Sequence, residues 1–259
     1  GEILTEKRMK ALRGKEIVLV PQSVSYLDPL MRVGEQVRNG KQDGESRKKS
    51  LEVLGRYGLD EKTERLFPFQ LSGGMTRRIL ISTAVMETPR LVIADEPTPG
   101  LHITAARRVL SHFREIADQG AGVLLITHDL ELALDTADRI VVFYAGTKLE
   151  EADARDFARE KTLRHPSSRG LCRALPELGF SAVAGAQPFA GELPEGCPYG
   201  PRCPWAEEAC RGEVPYRKLR GGMVRCARAE WLMEQDHLAL RPDGAADGGS
   251  GGLEMRDGT

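Results

Sequence analysis

Three apolar runs of the chain each lead into side chains that can act on phosphate or water. Continuous apolar runs bounded by turn residues are typical of parallel β-strands that are covered on both faces. In open parallel sheets, ligands bind beyond the carboxyl ends of the strands, so we expect these side chains to meet in one crevice. They are Gln22 after the first run, Asp95 and Glu96 after the second, and His128 after the third.

Two carboxylates stand side by side at the end of the second run. Because the side chains of adjacent residues diverge, Asp95 and Glu96 can take different roles, one toward a metal ion and the other toward an attacking water. The alternative interpretation is a pair of solvated loop acids. The apolar strand before the pair, and Pro97 directly after it, favour the functional interpretation.

A glycine-containing loop lies at residues 71–75, which read Leu-Ser-Gly-Gly-Met. Ser72, Gly73 and Gly74 open a predicted helix, where free backbone N–H groups and the positive end of the helix dipole attract anions. Glycines let that backbone approach a phosphate closely. The same residues also suit a serine N-cap with a glycine turn and no ligand.

Taken together and in this order, these segments resemble the nucleotide-binding subunits of ABC transporters. In that resemblance Gln22 is the Q-loop, residues 71–75 are the signature, Asp95 and Glu96 close the Walker B strand, and His128 is the switch histidine. The resemblance covers roughly the first half of the chain. It implies an α/β fold, the ABC-type nucleotide-binding domain, with a parallel-sheet core and a helical subdomain, that binds ATP and Mg²⁺.

The resemblance also implies a role for each residue. Asp95 would coordinate Mg²⁺ through water, Glu96 would polarise the hydrolytic water as general base, and His128 would contact the γ-phosphate. The loop would cap ATP held by a second ABC ATPase subunit, so the active unit is expected to be a head-to-tail dimer. The residues expected to bind the nucleotide are Gln22, Ser72, Gly73, Gly74 and Asp95.

The sequence departs from the family pattern in two places. It contains no Gly-x-x-x-x-Gly-Lys-Ser/Thr loop, and residues 1–4 resemble the strand that follows this Walker A loop in the family. We therefore expect an N-terminally truncated chain that does not hydrolyse ATP by itself. At the D-loop, His102 stands where the family has an aspartate, which suggests either a nonidentical partner subunit or a tolerated variant.

The composition argues against some classes of partner. The chain has 37 Lys and Arg against 38 Asp and Glu, so it has no charge excess that would indicate a nucleic-acid or anionic-membrane surface. No apolar run is long enough to span a bilayer. We expect a peripheral protein on the cytoplasmic face of the cell membrane, with the membrane path formed by other subunits.

Helical and strand patterns give a coarse map of the chain. Apolar spacing predicts helices over residues 45–57, 77–87, 103–119 and 129–138, and a strand over 140–144. The second of these helices should end before Pro89, since the residue before a proline avoids the α region.

Composition divides the chain into three parts. We expect a partial ABC ATPase domain over 1–150, with its helical subdomain at about 30–88. A small Cys-rich C-terminal extension is expected over 151–241, where Pro, Gly, Arg and Cys increase. Residues 242–259 are rich in Gly and Asp and predict a disordered tail.

Four of the five cysteines lie close together late in the chain, with the spacing C-x5-C-x6-C-x15-C. Disulfides are not expected without a secretion signal. Four thiolates in a loop-rich segment suggest a metal or cluster that holds the segment together. The spacing alone leaves zinc and iron–sulfur undecided. The four residues are Cys197, Cys203, Cys210 and Cys226.

The residues around these cysteines resemble the C-terminal extension of oligopeptide, dipeptide and nickel importer ATPases. Residues 196–204 read Gly-Cys-Pro-Tyr-Gly-Pro-Arg-Cys-Pro, and His165 with Pro166 resembles the family's His-Pro-Tyr motif, with Ser167 in place of the tyrosine. The resemblance implies a [4Fe-4S] cluster, with zinc as the alternative. Cys172 lies outside this spacing and is expected to be a buried or incidental thiol.

The predicted function is an ATP-binding and ATP-hydrolysing subunit that powers import of peptides, nickel or metal chelates. Its expected partners are a second ABC ATPase subunit, two transmembrane permease subunits and an external substrate-binding protein; no nucleic acid is expected. Two alternatives remain open on the sequence. One is a non-hydrolytic partner subunit with a structural iron–sulfur or zinc site, and the other is a soluble ABC ATPase outside transport.

Overall fold

The computed structural model describes residues 5–176, 180–189 and 191–238. These residues form two compact units, one up to Ala137 and one from Asp138 on. The strand predicted at residues 1–4 and the disordered tail predicted at 242–259 lie outside the described residues.

The described residues of the first unit form a three-stranded parallel sheet. Its strands are β1 (Ile17–Val20), β2 (Leu91–Asp95) and β3 (Gly122–Ile126), in the order β1-β2-β3. Ile17 is paired with Leu91, and Leu91 is paired with Gly122, so all three strands start at the same edge. The predicted parallel arrangement is confirmed, and the carboxyl ends of the three strands lie side by side.

The described residues of the first unit form six α-helices, and the sequence locates most of them to within a few residues. Helix α4 begins at Gly73 because Ser72 caps it, and it ends at Val85, two residues earlier than predicted. Helix α5 is followed by Gly120 at φ 97°, a left-handed conformation that suits glycine after a helix. The helices are α1 (Glu6–Leu12), α2 (Val33–Val37), α3 (Gly44–Arg56), α4 (Gly73–Val85), α5 (Ile103–Asp118) and α6 (Leu130–Thr136).

The core of this unit lies on one face of the sheet. Alternate side chains of a strand point to opposite faces, and the covered face packs against α4 and α5. On the other face Leu19, Leu124 and Ile126 are about half exposed, so the expectation of strands covered on both faces is not met among the described residues. The fully buried core side chains include Val20, Val92 and Ala94 from the sheet and Ile79, Ile81, Val109 and Phe113 from the helices.

The second unit is built on a four-stranded antiparallel sheet in the order β4-β5-β7-β6. A two-residue turn joins β4 to β5, and both of its residues, Ala145 and Gly146, have positive φ (48° and 73°), as hairpins of this length favour. The strands are β4 (Arg139–Tyr144), β5 (Thr147–Asp153), β6 (Arg217–Leu219) and β7 (Gly222–Val224), and the helices are α7 (Pro166–Arg173) and α8 (Ala229–Leu238).

This antiparallel sheet is a feature that the sequence analysis did not predict. The domain boundary placed at residue 150 falls inside β5. The strands β6 and β7 are only three residues long, too short to give a visible alternation of apolar and polar residues. The fold is therefore a combination of a parallel sheet, an antiparallel sheet and helices, rather than a parallel core followed by a loop-rich appendage.

Candidate functional site

The carboxyl edge of the parallel sheet carries the polar residues that follow the three strands. Asp95 is the last residue of β2 and is paired with Ile126, the last residue of β3. Glu96 follows Asp95, and its backbone N–H donates to the Ile126 carbonyl oxygen over 2.9 Å. Its φ of 46° turns the chain sharply at this point, so the Glu96 side chain is directed across the end of β3.

Glu96 and His128 form a direct pair at this edge. The Glu96 Oε1 accepts the backbone N–H of His128 over 3.0 Å and lies 2.8 Å from the His128 Nδ1. The hydrogen bond and the charge of Glu96 raise the pKa of His128 above its ordinary value. The imidazole is 80 % exposed while the Glu96 side chain is 16 % exposed, so the carboxylate is held in place and the ring faces solvent.

The second oxygen of Glu96 has different surroundings. Glu96 Oε2 is buried and has no hydrogen-bond partner among the described residues. A buried carboxylate oxygen without a partner costs free energy, and such atoms in native structures point to a water or ligand position. Glu96 thus presents one oxygen held by His128 and one oxygen with unused accepting capacity.

Arg77 is a neighbour of this pair that sequence reasoning missed. It lies in α4, is only 7 % exposed, and its Nη1 donates to the Pro21 carbonyl oxygen over 3.0 Å. Burial lowers its pKa, and the charge of Glu96 counteracts part of that effect. Arg77 therefore connects the signature helix to the end of β1, directly before Gln22, and places a positive charge near Glu96.

Gln22 and Asp95 lie at the ends of neighbouring strands. In the part of the chain that the structure describes, neither side chain is hydrogen-bonded to the Glu96–His128 pair. The loop after Gln22 is held by hydrogen bonds to the Gln36 side chain. Its amide oxygen accepts the Asp28 N–H over 2.8 Å, and its amide nitrogen donates to the carbonyl oxygens of Asp28 and Met31. This loop leaves Tyr26 and Leu30 68 % and 86 % exposed.

The signature loop forms a capped helix terminus. Ser72 is the N-cap of α4, and its hydroxyl accepts the Met75 N–H over 3.4 Å. A Cβ added at Gly73 would meet no atom within 4 Å, so the space beside this backbone is open. At Gly74 a Cβ would make ordinary contacts with Gly100 and Leu101. The backbone at Gly73 is thus accessible to a ligand at the positive end of a 13-residue helix.

His102, the residue that departs from the family's D-loop, has a local structural role. It is the N-cap of α5, and its Nδ1 accepts the Thr104 N–H over 3.4 Å. Aspartate is also a preferred N-cap residue. Histidine here keeps the cap and removes a carboxylate.

The four clustered cysteines line one cavity of the second unit, together with His165 and Tyr199. Three of their sulfurs face the backbone N–H two residues further on, which stabilises the thiolate: Tyr199 for Cys197, Trp205 for Cys203, and Arg228 for Cys226. Burial acts in the opposite direction and is stronger, so the pKa of each of these three thiols is raised, for Cys226 to about 12.

Gly196 allows the segment that carries Cys197 to approach the segment that carries Cys210. Its φ is 84°, and a Cβ at this position would lie 2.3 Å from the Cys210 carbonyl oxygen and 2.6 Å from that of Gly212. The Cys197 N–H donates to the same Cys210 carbonyl over 2.9 Å. Only glycine permits this approach, and it places Cys197 next to Cys210.

The cysteines do not form a completed metal site in this structure. Within residues 5–176, 180–189 and 191–238, no group of three or more His, Cys, Asp or Glu side chains has the geometry to hold a metal ion. The donor set nevertheless suits a soft metal or cluster, because four sulfurs share one cavity and three of them receive backbone N–H groups. Cys172 is buried apart from this cavity lining, with its Sγ directed at the Phe157 carbonyl oxygen and its pKa raised to about 11.

A buried ionic cluster holds the segment before α7. Glu150 is fully buried, and its carboxylate accepts the backbone N–H groups of Arg164 over 2.8 Å and His165 over 2.9 Å. Arg164, 2 % exposed, pairs with Glu150 over 3.2 Å and with Asp156 over 2.9 Å. Sequence reasoning noted the His165-Pro166 motif but not Glu150, which looks like any charged residue in a polar strand.

No helix that the structure describes combines the length and apolar character needed to cross a bilayer.

Two protein-family models match the chain. The ABC transporter model matches residues 1–99, and the model of the oligopeptide/dipeptide transporter C-terminal region matches residues 149–210. The first match contains the signature loop and both adjacent carboxylates. The second contains β5 from residue 149 on, α7 and three of the four clustered cysteines.

Similar proteins are ATP-binding proteins of peptide transport. A putative peptide import ATP-binding protein of Brucella melitensis is 34% identical over 233 residues, covering 82% of this chain and 68% of its own length. The dipeptide transport ATP-binding protein DppD of Escherichia coli is 34% identical over 227 residues, covering 82% of this chain and 69% of its own length. The oligopeptide transport ATP-binding protein OppD of Salmonella typhimurium is 33% identical over 237 residues, covering 86% of this chain and 70% of its own length.

Solved structures show the same fold. An ATP-binding cassette solved as a dimer in a post-hydrolysis state with ADP and Pi aligns with a TM-score of 0.53 and 28% identity, over 59% of this chain and 68% of that chain. An ATP-binding subunit of an ABC transporter aligns with a TM-score of 0.52 and 28% identity, over 60% of this chain and 66% of that chain.

Proposed function

Because the chain belongs to the family of ABC transporter ATP-binding subunits of peptide importers, we propose that it couples ATP turnover at the carboxyl edge of β1–β3 to peptide uptake. The observation that carries this proposal is the Glu96–His128 pair at the end of β2 and β3, with Glu96 Oε2 buried and without a partner. Nothing in the described residues favours a regulatory partner subunit or an ATPase outside transport.

Glu96 acts as the general base toward water. Its Oε1 is engaged by two nitrogens of His128, so the free Oε2 is the oxygen able to accept a proton from an attacking water. His128, exposed and with a raised pKa, is suited to contact the transferred phosphate. Asp95 fits Mg²⁺ because its carboxylate is adjacent to Glu96 and carries no hydrogen bond among the described residues; the ion supplies charge stabilisation to the phosphates.

Nucleotide binding extends to two further elements. Gln22 follows β1 and reaches the same edge of the sheet, beside Asp95. Ser72, Gly73 and Gly74 offer the N-terminus of α4 to a phosphate of ATP held by a second ABC ATPase subunit in a head-to-tail dimer. The dimeric state of the similar cassette supports this arrangement.

The proposed partners of the chain are those that its family resemblance implies. We propose two transmembrane permease subunits and an external substrate-binding protein as partners, with the chain attached peripherally at the cytoplasmic face of the membrane. The exposed Tyr26 and Leu30, on the loop after Gln22, supply an apolar surface for the membrane subunits. Peptides are the cargo that the similar proteins support; nickel and metal chelates remain a prediction from the sequence resemblance.

The 259 residues contain no phosphate-cradling Walker A loop. We propose that they do not hydrolyse ATP by themselves, and that turnover at the carboxyl edge of β1–β3 requires a phosphate-cradling loop supplied to this edge in the assembled importer. The signature loop still serves the ATP of the partner subunit, so this half of the function is testable with the chain as it is.

The four cysteines fit a metal-binding role in the second unit. We propose that Cys197, Cys203, Cys210 and Cys226 bind a [4Fe-4S] cluster, with zinc as the alternative, on the strength of their shared cavity and the N–H groups that face three of the sulfurs. Such a site would link the loops around these cysteines, which lack a large apolar core.

The signature loop permits a matched test. Gly73 and Gly44 are each the first residue of a 13-residue helix, and a Cβ at either position meets no atom within 4 Å. Aspartate at the first turn favours a helix but repels phosphate. In the importer assembled with the partner subunit, we expect Gly73→Asp to abolish peptide-stimulated ATP hydrolysis at the partner's site without loss of stability, and Gly44→Asp to change neither. Equal ATPase rates in the two variants would exclude the proposed role of the loop.

A further inference from the structure

His165 lies beside the four cysteines and has no role assigned by the function proposed above. It lines the same cavity, is 1 % exposed, and its Nε2 lies 3.9 Å from the Cys197 sulfur. Its ring also meets the edge of Tyr199, with centroids 5.7 Å apart and an interplanar angle of 67°. The imidazole is therefore confined between an aromatic ring and a candidate metal ligand.

The backbone determines which nitrogen of His165 carries the proton. The Ser167 N–H donates to His165 Nδ1 over 2.9 Å, so Nδ1 acts as acceptor and has no proton. A neutral imidazole then carries its proton on Nε2. The Nε2–H is the group that faces Cys197, and the sulfur is the acceptor.

The orientation of this donor is set by groups outside the cavity. Glu150 accepts the backbone N–H of His165 over 2.9 Å, and His165 is the N-cap of α7. Glu150 is itself held by the buried Arg164. The imidazole thus points at Cys197 before any metal binds, and little reorganisation is needed to form an N–H···S hydrogen bond.

Cys197 already receives other donors. The backbone N–H groups of Tyr199 and Gly200 lower the pKa of its thiol, against the larger effect of burial, although the Gly200 N–H also donates to the Cys197 carbonyl oxygen over 2.9 Å. A metal-bound thiolate carries more charge than a thiol and is the stronger acceptor. Hydrogen bonds to ligating sulfurs tune both metal affinity and the reduction potential of clusters.

We propose that His165 is a positioning residue for the metal site and donates its Nε2–H to the Cys197 thiolate. This proposal rests on the proposed metal-binding function of the four cysteines. This hydrogen bond withdraws charge from the sulfur. It favours the bound thiolate over the free thiol, and in an iron–sulfur cluster it favours the reduced state.

The test separates the sulfur contact from the helix cap. His165→Asn keeps a good N-cap oxygen for α7, but the shorter side chain does not reach Cys197. His102→Asn is the matched control, because His102 also caps a helix through Nδ1 but belongs to the first unit. Both variants and the unchanged full chain are incubated anaerobically with ferrous iron and sulfide, and in parallel with Zn²⁺ alone.

The expected result is a cluster or zinc site in all three proteins, and thermal unfolding of the metal-free chains shows that each variant is folded. His165→Asn should bind metal about 10–100-fold more weakly in chelator competition. Any cluster it holds should have a more negative midpoint potential, while His102→Asn matches the unchanged chain. Equal affinity and potential in His165→Asn would overturn the role of His165 and leave the cysteine site standing. Failure of the unchanged chain to bind iron–sulfur or zinc would overturn both.

Discussion

Glu96 Oε1 lies 3.0 Å from the backbone nitrogen of His128 and 2.8 Å from its Nδ1. One carboxylate oxygen thus holds both the main chain and the ring of the residue after β3. The pair joins the ends of two neighbouring strands, and it leaves the second Glu96 oxygen buried and without a partner among the described residues.

The first prediction concerns the titration of His128. Its pKa is raised in the folded chain by Glu96, so the pairing stabilises the fold fully at pH below the ordinary imidazole pKa. The contribution is lost as pH rises through the raised pKa. In Glu96→Gln, the His128 pKa should fall back toward its ordinary value, as measured by NMR titration of the ring protons. His128→Gln identifies the resonance, and an unshifted His128 pKa in Glu96→Gln would contradict the pairing.

The second prediction concerns Arg77. Arg77→Met leaves the Pro21 carbonyl without its donor at a buried position, which should cost about 1–3 kcal/mol of unfolding free energy. Urea denaturation measures the loss. Arg107 is an exposed arginine of α5, and Arg107→Met should have little effect. A similar small effect for both variants would show that the Arg77–Pro21 contact contributes no stability.

The third prediction concerns the buried pair in the second unit. Glu150→Gln removes the fully buried one of the two carboxylates that pair with the buried Arg164 guanidinium, and breaking a buried pair costs about 3–5 kcal/mol. Chemical denaturation followed by circular dichroism gives the value. Arg155→Ala removes an exposed ion pair with Asp153 and should change the stability little. If the two variants were equally stable, the assigned role of Glu150 would be wrong.

The fourth prediction concerns Gly196. Gly196→Ala places a Cβ against the Cys210 and Gly212 carbonyl oxygens at a left-handed φ, a strain of roughly 1–3 kcal/mol before the overlap is relieved. We expect the variant to lose metal binding, measured as bound iron or zinc per chain. Gly212→Ala, where a Cβ meets nothing within 4 Å, serves as the control. Full metal content in Gly196→Ala would show that this close approach is not needed.

The sequence was sufficient to predict the strands that carry the site, because each apolar run ends in a polar residue. It also located α3 and α5, whose apolar faces repeat at helical spacing. The hydrogen bonds between Glu96 and His128 could not be predicted from the sequence, since they depend on the positive φ of Glu96 and on strand register.

Other residues show where sequence reasoning reaches its limit. Arg77 and Glu150 became visible only through burial, because a charged residue in a helix or strand is normally solvated. The cysteine spacing left the metal undecided, and it gave no indication that the imidazole of His165 faces Cys197.

The most direct test of the proposed function is the rate of peptide-stimulated ATP hydrolysis by the assembled importer carrying Glu96→Gln in this subunit. Glu45→Gln, at an exposed position in the first turn of α3, is the control. If Glu96 is the general base, its variant should lose hydrolysis at the carboxyl edge of β1–β3 of the assembled importer by about 10²–10⁴-fold, while Glu45→Gln retains the full rate. Hydrolysis at the unchanged rate in Glu96→Gln would contradict a catalytic site at this edge of the sheet.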